Sequence, residues 1–492
     1  MSEHNKEPNK IQQLALKAAM HFAYTITDIF NHLTVVSIIG IGAAAVGYAL
    51  FFRWLSYQAY LELRRYLPAM LSVMGFMYAI YKAIPALEDF WGLKRSRVNT
   101  SHPLCVYAAI AMWLVFLNSI IFAFGFQLEA GVPFSVMFEN FFGRYGNDTE
   151  HYIAIAQYWY RDIPGDHRLL IVFFPFYAIL VRVMYFFSPS YMFAAVAVSN
   201  IFAFAGSVMF YKLAKLVVPE NEARLGVKFL LIFPSAFFLL VPLTESLFLF
   251  FSIVVIYYVL KDKYLLVFTF GLLASLTRSA GMLLIIPVAC EAIGQILTSY
   301  RAAIQDSAAP ESRPPLLVRL RLGLSRKDFY KLANLLAFPL GVGIYLLINY
   351  TVYGNATEFM IIQREHWNQN MYYFWNTITY LSQDLFSDHT SWVIGVSLPG
   401  VVVFWLSLAL IIYGANKIRP SLTLYALAYF IFAFGPTWLM SGPRYVMVLF
   451  PLAFTAAKLA GVKKGYNLGL TIAYLVMFAY YFHGFLRDNF VF

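Results

Sequence analysis

Apolar runs of membrane-spanning length, one after another and joined by short connections, constrain this chain more than any other feature. They fall at about 33–52, 67–85, 104–126, 169–188, 191–217, 226–241, 243–260, 264–277, 280–297, 333–352, 392–413, 421–440, 446–462 and 467–484. A run of roughly 15–25 residues crosses about 30 Å of hydrocarbon at ~1.5 Å per residue. Only helices and closed barrels satisfy their backbones in lipid, and these runs are too long for barrel strands. The fold class expected is all-α, a polytopic transmembrane helical bundle of about 13–14 membrane segments. Composition agrees: 61% of the 492 residues are hydrophobic and 12% are charged. That charge is about half of what a soluble protein uses to cover its surface, and this much apolar residue excludes a disordered chain.

The net charge of +11 does not point to nucleic acid, because the basic residues sit in short connections where positive charge holds a loop in the cytoplasm. The stretch 298–332, with Arg301, Arg313, Arg319, Arg321, Arg326, Lys327 and Lys331, is the strongest such marker. Lys94 to Arg97, Lys261 with Lys263, Lys417 with Arg419, and Lys463 with Lys464 mark the others. Two long connections, 127–168 and 353–391, are rich in aromatics, Asn and acids and read as the outer or lumenal face. Counting between these anchors fails to close if 169–188 crosses fully. That run carries Pro175 and Arg182 and is the candidate for a re-entrant or interfacial segment. Broken backbone at membrane depth survives only under protein or a wet cavity, so the irregularity points to a site.

Residues 1–32 read as a polar, then amphipathic, cytoplasmic or interfacial segment, and 33–100 as two extra transmembrane helices. No cleavable signal is expected, since the first strong apolar run starts near Leu33 after a Lys-bearing head. Cys105 and Cys290 both lie in apolar runs and imply neither a disulfide framework nor a metal cluster. No Walker loop, dinucleotide fingerprint or metal-spaced His/Cys cluster is present, which argues against an ATP-driven pump or a redox enzyme. Asn147-Asp-Thr149 and Asn355-Ala-Thr357 fit the glycosylation sequon, a pattern short enough to arise by chance.

Four constellations carry the polar residues that an apolar chain tolerates least. Asp148, Glu150 and His151 stand in the first outer loop, followed by Tyr152, Tyr158 and Tyr160. Asp148 and His151, three apart, share a helical face. Their bland reading is a capped surface helix; their functional reading is a carboxylate base beside an imidazole. Glu245 enters an apolar run within Thr244-Glu-Ser246, either as a cap at the helix start or facing a polar cavity. Arg278, in Thr277-Arg-Ser-Ala-Gly281, and Arg444, in Gly442-Pro-Arg-Tyr445, each put a cation on an otherwise cation-poor outer face. Each Arg either snorkels to the interface or clamps phosphate oxygens.

Taken in order, these motifs resemble a known family. Asp148-x-x-His151-Tyr152 is followed by Phe173-Phe-Pro-Phe-Tyr177, then by Pro234-Ser-Ala-Phe-Phe with Thr244-Glu-Ser-Leu-Phe248. The Arg278 turn comes next, and last a Pro443-Arg-Tyr with Leu449-Phe-Pro451. The set resembles the PIG-V-like mannosyltransferases, which belong to the integral-membrane glycosyltransferases called GT-C, over roughly residues 104–460. The family usually shows Trp-Asp in the first loop where this chain has Asn147-Asp148.

The resemblance implies a GT-C-like module over 101–492 and a polyprenyl-phosphate sugar donor, typically dolichyl-phosphate mannose in eukaryotic members. It further implies a glycan or glycolipid acceptor on the outer or lumenal side. The expected function is therefore a membrane glycosyltransferase, a mannosyltransferase in particular, with Asp148 as general base. His151, Glu150, Glu245, Arg278 and Arg444 are the expected substrate contacts. No cofactor or metal is called for, because side chains can neutralise one phosphate. The expected location is a multi-pass protein of the cell membrane in a prokaryote or of the endoplasmic reticulum in a eukaryote. A secondary transporter or lipid flippase is the alternative, and it would want inverted repeats and broken helices at the midplane.

Overall fold

The computed structural model describes residues 103–125, 132–143, 147–160, 167–306 and 326–487. The segment 1–32, the two apolar runs before residue 100 and most of the basic connection 298–332 lie outside the described residues. From the inner side, α1 (Pro103–Ile120) rises and continues as a π-helical turn to Gly125. The first outer loop holds α2 (Phe134–Gly143) and α3 (Asn147–Tyr158), then a 3-10 turn, His167–Val172, leading to α4 (Pro175–Tyr185). There follow α5 (Tyr191–Val217), α6 (Glu220–Leu231), α7 (Glu245–Leu260), α8 (Tyr264–Thr277) and α9 (Ile285–Asp306). After α10 (Arg326–Tyr353) the second outer loop holds α11 (Glu358–Trp367) and α12 (Phe374–Asp384). The chain ends with α13 (Val393–Gly414), α14 (Pro420–Ala433), α15 (Gly442–Met447), α16 (Pro451–Val462) and α17 (Lys464–Leu486). Among the described residues the one extended pairing is the isolated bridge between Met371 and Pro436. The fold is all-α.

Six helices among the described residues are long and apolar enough to cross a membrane: Val106–Gly125, α5, Ser279–Ser299, α10, α13 and α17. The chain is a multi-pass helical membrane protein. Five further apolar helices, α4, α7, α8, α14 and α16, have 10–17 residues, and three of the expected spans take a different form. The run 226–241 is not one helix: α6 ends at Leu231, Pro234 has no N–H to continue it, and a 3-10 turn at Ala236–Leu239 follows. Irregular backbone is tolerated there because every residue from Leu230 to Leu249 is buried in protein. The run 446–462 breaks at Val448–Phe450 between α15 and α16, with Pro451 opening the second piece.

The run 169–188 contains only the 11 residues of α4, about 16 Å, half the hydrocarbon thickness. Tyr177 donates to the Ala195 carbonyl and pairs with Ser199 at 2.9 Å, whereas Tyr185 stacks on Tyr191 at 3.9 Å. The helix therefore runs antiparallel to the first turns of α5, starting deep and returning to the end from which the chain entered.

Ion pairs sort the two ends of the bundle. At the inner end Arg419 holds Glu291 through two nitrogens at 2.5 and 2.7 Å, Lys331 reaches Asp262 at 2.9 Å, and Lys458 reaches Glu222 at 2.7 Å. Arg419 and Lys331 belong to the basic connections that the sequence reads as cytoplasmic. From there α7 climbs in reverse to Glu245, and α8 climbs to Arg278. Helices of 12 to 16 residues are only about 18–24 Å long, so α7, α8 and α16 stop some 6–12 Å short of a full crossing. Longer neighbours, α5 with 27 residues and α10 with 28, surround them. The polar motifs lie at the ends of these short helices.

Candidate active site

Each polar motif sits at or near a helix end. Asp148 lies inside the first turn of α3, not at its cap. Its Oδ2 accepts a hydrogen bond from Arg444 Nη2 at 2.7 Å. Glu245 opens α7, and Thr244 before it makes no side-chain cap. The Glu245 carboxylate turns instead to two cations: Arg278 Nη1 donates to Oε1 at 2.5 Å, and Arg444 Nε lies 3.3 Å from the same oxygen. Thr244 Oγ1 accepts a second bond from Arg278 Nη1 at 3.0 Å. The cap readings of Asp148 and Glu245 give way to one network, Asp148–Arg444–Glu245–Arg278, drawn from four motifs spread over 297 positions of chain.

The backbone reasons are local. Arg278 is extended, φ −153° and ψ 151°, where α8 ends and a 3-10 turn begins. That turn folds tightly onto the helix before it. A Cβ at Gly281 would stand 2.4 Å from the Ala274 carbonyl oxygen, so only glycine fits without displacing backbone. Arg444 rides on α15, a six-residue helix with Pro443 in its first turn. Ser235 Oγ donates to the Pro443 carbonyl at 2.6 Å and Tyr429 donates to the Tyr445 carbonyl at 3.1 Å. Thus the Pro-Ser-Ala-Phe segment positions the Pro-Arg-Tyr segment. Sequence reading singled out Ser235 within its motif but gave it no such role.

Tyr445 is a site residue that the sequence reading did not select. Its ring centroid lies 5.2 Å from the Arg278 guanidinium carbon and 5.4 Å from that of Arg444, a cation–π contact with both. Glu245, at 1% exposure, and Arg444, at 8%, are withdrawn from water. Two carboxylates and two guanidiniums make the network formally neutral. Burial without such pairing would cost several kcal/mol per ion. A guanidinium has five N–H donors. The Arg278 and Arg444 bonds above leave several without a protein acceptor among the described residues, a geometry suited to phosphate oxygens.

His151 is half-buried against Phe173 at 4.8 Å and Trp367 at 6.4 Å between ring centroids. Burial pushes its pKa below the usual histidine value and Asp148 only partly offsets this, so the imidazole is neutral near pH 7. Glu150 is exposed and takes no part in the network. Trp367 comes from the second outer loop, which is tied to the first by Arg168 and Glu358 at 2.7 Å. That loop also holds the segment leading to Arg444: Tyr372 N donates to Gly435 O at 2.8 Å and Gln369 Nε2 to Trp438 O at 3.1 Å. Among the described residues no three His, Cys, Asp or Glu side chains gather as a metal site.

No family model matches the chain, and no curated protein matches it. Two solved structures match in part, both of ArnT from Cupriavidus metallidurans. One, bound to undecaprenyl phosphate, is 16% identical with a TM-score of 0.42, covering 74% of this chain and 63% of that one. The other, in the apo state, is 17% identical with a TM-score of 0.38, covering 74% of this chain and 62% of that one. The chain thus spans somewhat under two thirds of the length of these structures.

Proposed function

We propose that the protein is a membrane glycosyltransferase of the GT-C kind, which moves a sugar, mannose in the first instance, from a polyprenyl phosphate to a lipid-linked glycan on the outer or lumenal face. The observation that carries this reading is the Asp148–Arg444–Glu245–Arg278 network at one end of the bundle. A transport pathway would need polar groups through the bundle from both sides, and these polar groups gather at one end.

In this reading Asp148 accepts the proton of the acceptor hydroxyl as its oxygen attacks the anomeric carbon. The bond from that carbon to the phosphate oxygen breaks, and the electron pair leaves with the polyprenyl phosphate. Arg278 and Arg444 meet the developing charge with donors already oriented by Glu245, Thr244 and Tyr445, so no reorganisation is needed at the moment of transfer. Neutral His151, with Trp367 and Phe173, offers an aromatic wall for the sugar. Glu150 keeps only a peripheral place beside the acceptor. A lipid donor accounts for an enzyme that is almost wholly membrane.

The test is incubation of purified protein in lipid nanodiscs with labelled polyprenyl-phosphate mannose and a membrane lipid extract. Label is expected to move to a glycolipid, and the transfer to disappear in Asp148→Asn. Lipid movement between leaflets with no sugar transfer from mannose or other polyprenyl-phosphate sugars would overturn the reading.

A further inference from the structure

An open groove of about 290 Å³ runs between α3 and the short helix α4. Ile155, Ala156 and Trp159 form one wall; Ile179, Arg182 and Phe186 form the other. Arg182 is its one charged side chain and has no ion-pair partner among the described residues, unlike Arg278, Arg444, Arg419 and Arg168. Phe186 and the neighbouring Phe187 are 80% and 84% exposed, as rings embedded at a membrane boundary are. An apolar trough with a single guanidinium at that boundary matches an amphiphile with an anionic headgroup.

The groove also has a fixed relation to the network. Asp148, Tyr152 and Ile155 recur at spacings of four and three, so one face of α3 carries the proposed base at its start and part of the groove wall further along. Seven residues of helix separate Asp148 from Ile155, about 10 Å, and Trp159, with φ 62°, stands just beyond the helix end. In a polyprenyl-phosphate sugar the phosphate is joined through one oxygen to the carbon under attack. A donor phosphate at Arg182 would leave its sugar far from Asp148, so the donor phosphate belongs to Arg278 and Arg444. A phosphate at Arg182 belongs to a different lipid, one whose reactive hydroxyl lies one or more sugar rings away.

We propose that the α3–α4 groove seats the lipid end of the acceptor, a phospholipid carrying a short glycan, with Arg182 on its phosphate and its chain along Ile155, Trp159, Ile179 and Phe186. The assignment rests on the glycosyl-transfer reading above. It places donor and acceptor phosphates on different arginines.

The experiment has a binding arm and a kinetic arm. Nanodiscs of phosphatidylcholine are doped with brominated-chain phosphatidylinositol or with brominated-chain phosphatidylcholine. Quenching of the Trp159 contribution is read as the difference from Trp159→Phe. Phosphatidylinositol is expected to quench at roughly tenfold lower mole fraction than phosphatidylcholine, and Arg182→Gln to abolish that preference while Arg182→Lys keeps part of it. Equal quenching by both lipids, or an unchanged preference in Arg182→Gln, would overturn the proposal.

In the transfer assay with membrane lipid extract, Arg182→Gln raises the extract concentration for half-maximal rate about tenfold and leaves the donor KM in place. A raised donor KM instead would assign the groove to the donor and overturn it. Arg182-dependent lipid preference in a protein that turns over no polyprenyl-phosphate sugar would overturn the acceptor assignment and the transfer reading together, leaving only a lipid site.

Discussion

Arg444 and Asp148 meet at 2.7 Å although 296 positions of chain separate them. The guanidinium that pairs with the proposed base also faces Glu245 and Tyr445, so one side chain lies between the proton acceptor and the place proposed for the phosphate.

Replacing either arginine by lysine keeps the charge and loses the planar fork. Arg278→Lys is expected to raise the donor KM about tenfold or more with kcat affected less, because Arg278 does not touch Asp148. Arg444→Lys is expected to lower kcat as well, since it disturbs both phosphate and base. Steady-state kinetics at varied donor concentration separates the two. Unchanged donor KM in both variants would remove the arginines from the phosphate.

Glu245 compensates two buried cations. Glu245→Gln leaves them short of one negative charge, and breaking a buried pair in this way costs about 3–5 kcal/mol. The thermal midpoint in detergent should fall by several degrees, and activity with it. Glu245→Asp, which keeps the charge, should recover most of the stability but less of the activity.

Gly281 lets the Arg278 turn pack on Ala274. Gly281→Ala places a methyl group 2.4 Å from that carbonyl oxygen, and the 3-10 turn must move. The expected outcome is a correctly inserted protein with donor use reduced about as far as in Arg278→Lys. Wild-type kinetics would show that the turn does not position Arg278.

The sign of the His151 effect follows from its lowered pKa, caused by burial. The unfolded chain takes up a proton near pH 6.5 before the folded one does, so stability rises with pH across this window and is lost as pH falls below it. His151→Phe keeps the contact with Phe173 and removes the titration. Its thermal midpoint should decline less than wild type between pH 7 and pH 5; parallel curves would contradict this.

Impermeant thiol labelling of a cysteine-free background checks the orientation. A cysteine placed in 365–390 should react in sealed cells or vesicles of native orientation, and one placed in 303–325 should be shielded. The reverse pattern would put the network on the wrong side for a lipid donor delivered outside.

Much of the site was legible in sequence, because a charged residue in an apolar run is expensive and stands out. Glu245 was visible on that ground, Arg278 and Arg444 as cations on a cation-poor face, and Asp148 through its spacing from His151 in the outer loop. Their mutual pairing was not, since helix caps and snorkelling explain each residue alone. Tyr445 stood inside the Arg444 motif, but nothing in the pattern marked its ring as a partner of both arginines, and Ser235 acts through a carbonyl oxygen that no pattern marks. Hydropathy located the long helices, α5, α10, α13 and α17. It misjudged 226–241 because it scores side chains alone and is blind to the missing N–H of Pro234. The shortness of α7, α8 and α16 is likewise set by breaks at Thr244, Arg278 and Pro451 and not by apolarity.

The central claim is that Asp148 takes the acceptor's proton, and Asp148→Asn tests it most directly. Asparagine keeps the size, can still accept from Arg444, and caps a helix about as well as aspartate. It cannot take a proton. General-base contributions are roughly 10²–10⁴-fold, so transfer from labelled polyprenyl-phosphate mannose should fall at least about a hundredfold with expression and donor binding retained. Glu150→Gln, which alters the exposed neighbour outside the network, is the control and should stay within severalfold of wild type. Transfer by Asp148→Asn at a rate close to wild type would contradict the account.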